Sequence, residues 1–146
     1  MSLDTRIKDL DARRAKANAM GGEKKIAARR AQGHLNARER IDRLVDAGTF
    51  IESGHLATSV ISADKDRSAA DGKIAGYGRI GGREAAIVSN DFTVLGASSS
   101  ATNGKKIGQM KRVATQRGIP LIFFGESSGA RMPDTMGARG MGTMLG

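Results

Sequence analysis

One stretch constrains the fold more than any other. Between residues 91 and 124 an apolar run, a helix-patterned segment and a second apolar run follow one another with only small residues between them. Asp91-Phe92-Thr93-Val94-Leu95 reads as a strand that opens into Gly96-Ala97-Ser98-Ser99-Ser100. Asn103 then offers a cap for a helix holding Ile107, Met110, Val113 and Ala114, and Gly118 and Pro120 close it. Leu121-Ile122-Phe123-Phe124 reads as a buried strand. Upstream, segments 73–80 and 84–89 flank Gly81-Gly82, a dipeptide suited to a tight hairpin. A strand, a helix and a strand in this order form a crossover unit, which places the chain in the α/β or α+β class.

The N-terminal third follows a different period. Leu3, Ile7, Leu10 and Ala17 share one face at helical spacing, so residues 4–19 read as an amphipathic helix that Gly21-Gly22 ends. A second helical piece runs from Glu23 to Gln32. A third opens at Asn36, with Glu39 three residues on completing a capping box, and buries Ile41, Leu44 and Val45 before Gly48. Residues 54–70 read as an irregular loop. Residues 1–52 are therefore expected to form a helical segment, and residues 53–146 a separate α/β unit.

Charge and composition exclude several classes. No apolar stretch approaches the roughly 20 residues that cross a bilayer, and no membrane partner is expected. The 146 residues contain no cysteine, which removes disulfides and Cys-ligated metals and suits a cytoplasmic protein. A net charge of +9 points to an anionic partner. Nucleic acid is disfavoured as that partner, because Tyr77, Phe50, Phe92, Phe123 and Phe124 are a poor supply of stacking platforms. His34 and His55 lie with no carboxylates at metal-ligand spacing, and no metal site is expected.

The junction after Phe124 carries the chemistry. An apolar strand that breaks into Gly125-Glu126-Ser127-Ser128-Gly129-Ala130-Arg131 collects free backbone N–H groups, which suit an oxygen bearing negative charge. Gly125–Gly129 matches the G-x-S-x-G nucleophile elbow, with Ser127 as nucleophile. That elbow needs an acid and a His downstream, yet both histidines precede the serine. Gly104-Lys105 fails the phosphate-loop pattern, since Ser99 and Lys106 stand at its other required positions. Gly76, Gly78 and Gly81 have dinucleotide-loop spacing but fall in the expected hairpin.

Five segments together resemble the carboxyltransferase β-subunit of biotin-dependent acyl-CoA carboxylases. Gly33-His34-Leu35-Asn36-Ala37-Arg38-Glu39-Arg40-Ile41 is similar to that family's G-K-L-T-A-R-E-R-I. Asp71-Gly72, Gly76-Tyr77-Gly78, and Asp91-Phe92-Thr93-Val94 with Gly96-Ala97-Ser98 follow in the family's order, and Ser127–Arg131 resembles its S-G-G-A-R. The resemblance implies a crotonase-like fold of ββα units. It implies carboxyl transfer from carboxybiotin to the α-carbon of an acyl-CoA, with biotin as cofactor, a biotin carboxylase or biotin carrier as partner, and a homo-oligomer. It also implies a backbone oxyanion hole for the thioester enolate at Ser128 and Gly129, with Ala130 at the start of the following helix. Gly96, Ala97 and Ser98 would line the acyl-CoA side. Such a donor pair lowers a barrier by on the order of 3 kcal/mol.

Three positions depart from the family pattern: Ser128 and Ala97 replace glycines, and His34 replaces a lysine. Family subunits are several times longer and have a second, biotin-binding domain, so the chain reads as the front of the first domain. The basic N-terminal helices are expected to attract the CoA phosphates, with Arg29, Arg30 and Arg38 as candidates. Rival readings are a biotin-dependent decarboxylase of the same superfamily, a basic nucleic-acid-binding module and a serine hydrolase.

Overall fold

Gly81 and Gly82, at φ 56° and 78°, turn the chain between β2 (Lys73–Ile80) and β3 (Arg83–Asn90). Their amides donate to the two oxygens of Asp46 at 2.9 and 2.8 Å, which fixes the turn to the end of the preceding helix. The computed structural model describes residues 2–136, 140 and 142. The hairpin forms the middle of a four-stranded sheet ordered β1-β2-β3-β4. β1 (Ile51–Ser53) pairs antiparallel with β2, and β4 (Leu121–Phe124) pairs parallel with β3, from Ala86 opposite Leu121 to Ser89 opposite Phe124. A parallel partner requires a crossover, and α5 (Ala101–Arg117) supplies it.

Both faces of the hairpin are buried, so its strands read as continuous apolar runs rather than as alternating ones. Successive residues still point to opposite faces. Ile74, Ala85 and Ile87 pack with Ala37 and Ile41 of α3 (Ala37–Leu44) and with Ala70. Ala75 and Val88 pack with Met110 of α5. Asn36 caps α3 through the expected box, accepting from the Arg38 and Glu39 amides while the Glu39 carboxylate accepts from its own. α2 (Glu23–Ala31) buries only Ile26.

Five expectations need correcting. α1 (Leu3–Asn18) forms, but it meets the rest of the protein at its C-terminal end, so Ala17 is buried while Leu3 and Ile7 are 73% and 48% exposed. Residues 91–95 form no strand, because the Asp91 side chain accepts from the Thr93 amide at 3.0 Å and its hydroxyl at 2.5 Å, and this local turn replaces ladder bonds. Ser100, not Asn103, caps α5; Asn103 is the third helical residue and closes the box from inside. β4 is an edge strand rather than a buried one, and Phe123 is 43% exposed. Inside the expected 54–70 loop lies a one-turn helix, α4 (Ser62–Lys65). The boundary expected after residue 52 falls within β1. Among the described residues no helix is long and apolar enough to cross a membrane, and no group of three or more side chains suits a metal.

Candidate active site

Two left-handed turns face each other beneath the site. Ala70, Asp71 and Gly72 take φ of 48°, 48° and 70°; Leu95, Gly96 and Ala97 take 49°, 60° and 50°. Left-handed backbone costs roughly 1–2 kcal/mol for each residue with a Cβ, so four of these six must be held by their surroundings. The turns touch directly. A Cβ on Gly72 would stand 3.1 Å from the Val94 carbonyl and 3.4 Å from the Ala97 α-carbon.

Buried charge does the holding. The Asp71 and Arg131 side chains are 0% and 5% exposed, and Nη1 of Arg131 donates to Oδ1 of Asp71 at 2.6 Å. The other Asp71 oxygen accepts from the Ser100 hydroxyl. Arg131 Nε donates to the Ser98 hydroxyl at 3.1 Å, and the Asn103 amide donates to the Asp71 and Ser98 carbonyls at 3.1 and 2.8 Å. Lys73 Nζ donates to the Ala97 carbonyl at 2.8 Å. Lys106 Nζ donates to the Gly54, Ala70 and Lys73 carbonyls at 3.1, 2.9 and 2.5 Å. Burial pushes both ammonium groups down to about 8, against the opposing pull of the Asp71 charge on each and of Glu52 on Lys106.

This scaffold brings the two predicted loops together. Ser99 and Ala130 form an isolated parallel bridge, in which the Ser99 amide donates to Gly129 O and the Arg131 amide to Ser99 O, both at 2.8 Å. Alternation along an extended segment then turns the Ala130 N–H away from Ser99, and it has no acceptor among the described residues. Ala130 does not begin a helix as expected; α6 (Met132–Thr135) starts two residues later. The Ser128 amide, expected to be a free donor, is engaged by the Gly96 carbonyl at 2.9 Å. The Gly129 amide, at φ 110°, donates to the exposed Ser127 hydroxyl at 3.1 Å, a local bond that an incoming oxygen can replace. Of the acyl-side residues, Gly96 is half-buried while Ala97 and Ser98 are buried.

Ser127 is not set up as a nucleophile. Its hydroxyl donates to the Ala97 carbonyl at 3.1 Å, and neither imidazole reaches it: His55 Nε2 lies 3.0 Å from Asn18 Oδ1, and His34 makes no side-chain hydrogen bond among the described residues. The candidate phosphate-binding arginines are occupied as well. Arg30 pairs with Glu39 at 2.6 Å, Arg38 with Glu52 at 2.7 Å, and Arg29 with Glu126. Glu126 also accepts from Arg40 at 2.8 Å, so α2 and α3 are both tied to the loop that carries Gly129. Burial pushes the Glu126 carboxyl up, but the bonds from Arg40 and Arg29 outweigh it and hold the group below the usual range. The Arg29 guanidinium lies 5.0 Å from the Phe92 ring centre, a cation–π contact on the wall beside Gly96. Asp91, buried with one oxygen on Thr93 and the other unpartnered among the described residues, is raised by that burial.

Residues 28–146, which hold this strand–helix–strand scaffold and both loops, match the carboxyl transferase domain family. The chain belongs to that family, and its fold is crotonase-like. It is 40% identical over 131 residues to the propionyl-CoA carboxylase beta chain of Roseobacter denitrificans, covering 88% of this chain and 26% of that one. It is 37% identical over 138 residues to the mitochondrial propionyl-CoA carboxylase beta chain of Homo sapiens, covering 91% and 25%. The transcarboxylase 12S structure, a hexamer solved with methylmalonyl-coenzyme A and methylmalonic acid bound, superposes with a TM-score of 0.85 at 32% identity, over 98% of this chain and 28% of that one. The chain therefore spans about a quarter of the length of these relatives.

Proposed function

We propose that this chain forms the acyl-CoA side of a biotin-dependent acyl-CoA carboxyltransferase. The observation that carries the reading is the Ser99–Ala130 bridge, which sets the Gly96–Ser98 turn against the Ser127–Arg131 segment. In this reading the thioester oxygen takes the Gly129 and Ala130 N–H groups, displacing the Ser127 hydroxyl from the first. The Ser128 amide keeps the two loops in register by holding Gly96. Donors fixed before the reaction stabilise the charge that develops on the oxygen as the α-carbon loses its proton, without reorganising when it forms. Gly96, Ala97 and Ser98 line the acyl-CoA side.

Carboxybiotin, held by a biotin carrier partner, supplies the carboxyl group when bound. The residues described here serve the thioester, and we assign the biotin contacts to the larger part of such a subunit that this chain does not span. Assembly as a homo-oligomer belongs to the same reading, as does a biotin carboxylase partner.

The test uses propionyl-CoA labelled with 13C at the thioester carbonyl. Binding to the chain should move that resonance downfield, because hydrogen bonds polarise the carbonyl, and propionyl-CoA should bind more tightly than CoA alone. A bound ligand with an unmoved carbonyl would remove the donor assignment; equal affinity for CoA and propionyl-CoA would remove the acyl site altogether.

A further inference from the structure

We infer that the Ser128 side chain limits the length of the acyl group this site accepts, favouring acetyl and propionyl thioesters over longer ones. The inference rests on the carboxyltransferase reading and concerns the same cleft. Gly96 has φ +60°, and a Cβ built on it would stand 2.5 Å from Ser128 Oγ and 2.9 Å from Ser128 Cβ. The Ser128 side chain thus occupies the space that the missing Gly96 side chain leaves, between the turn at 95–97 and the segment at 127–131. Glycine at position 128, as in the S-G-G-A-R pattern, would leave that space empty for substrate.

Two observations say that volume, rather than a local hydrogen bond, is what the side chain contributes. Ser127 Oγ accepts from the Gly129 amide and donates to the Ala97 carbonyl, whereas the neighbouring Ser128 hydroxyl has no partner among the described residues. The Ser128 amide donates to the Gly96 carbonyl at 2.9 Å, so the Cβ cannot swing clear of Gly96 without breaking a backbone bond. Ser128 is not among the residues with positive φ, so alanine or glycine fits its backbone without strain. A chain of methylenes entering between the loops meets the Ser128 Cβ and Oγ there; one methylene more or less in a hydrophobic pocket changes affinity by roughly 10–200-fold.

Calorimetry would compare acetyl-CoA, propionyl-CoA and hexanoyl-CoA, with CoA as reference, on the unsubstituted chain, Ser128→Gly and Ser128→Ala. The ratio of hexanoyl-CoA to acetyl-CoA affinity should rise about tenfold or more in Ser128→Gly. It should fall between those two values in Ser128→Ala, which keeps the Cβ but removes Oγ, the closer of the two obstructing atoms. An unchanged ratio in Ser128→Gly, or an alanine variant that matches the glycine one, overturns the inference while leaving the carboxyltransferase reading intact. An unsubstituted chain that binds no acyl-CoA more tightly than CoA overturns both.

Discussion

The β2–β3 hairpin and the loops above it are built on opposite principles. In the hairpin, Ile74, Ile87 and Val88 are buried among other apolar groups, and no residue of either strand has positive φ. In the loops, Ala70, Asp71, Leu95 and Ala97 all sit in left-handed backbone, and the groups that keep them there are Asp71, Arg131, Lys73, Lys106 and Asn103. Apolar packing is non-directional and yields a little when one group shrinks. A buried ion pair is directional, and losing one partner leaves the other charged and dry. The site is therefore the stiffer but less forgiving half.

That contrast can be broken by two substitutions of similar size. Asp71→Asn keeps the volume but leaves the Arg131 guanidinium without its counter-charge, and should destabilise by about 3–5 kcal/mol in urea unfolding. Adding Arg131→Met should recover part of the loss, since the stranded charge is then gone. Next in size is a pH effect. Lys73 and Lys106 titrate near 8 when folded against 10.5 as the ordinary value, so between those pH values the unfolded chain holds more protons. Stability should therefore rise from pH 8 toward 10.5, by at most on the order of 3 kcal/mol per lysine, and Lys106→Met should flatten the slope. Smallest is Ile87→Val, which removes one methylene from the hairpin core and should cost about 1 kcal/mol with the pH slope unchanged. If Ile87→Val cost more than Asp71→Asn, the contrast between the halves would be gone.

The same division governs what could be read from the residues. The hairpin at Gly81-Gly82, the Asn36–Glu39 box, α5 and β4 are visible because each is coded within a few positions by a turn pair, a cap or an apolar period. β1 is three residues long, too short to show a period. Residues 91–95 have strand composition, but Asp91 at their head bonds its own neighbours and bends them. The left-handed turns leave no local signal beyond Gly72 and Gly96, since a positive φ at alanine or leucine is imposed by tertiary contacts. Resemblance located the segments at 96–98 and 127–131, yet it did not show that the Ser128 amide is already engaged. That depends on Gly96, more than thirty positions away in sequence. Nor could charge alone show that Arg29 and Arg40 converge on Glu126. A lysine that opens a mostly apolar strand, as Lys73 does, is the available hint of buried charge.

The bridge at Ser99 has a mechanical consequence. Both main-chain groups of that residue are committed to the strip containing Gly129 and Arg131, while the next residue, Ser100, caps the 17-residue helix α5. The helix and the strip are thus geared together with no residue between bridge and cap. A tilt of α5, whether from a neighbouring subunit or from a ligand at its far end, would reach the Gly129 amide as a change of aim rather than be absorbed along the way.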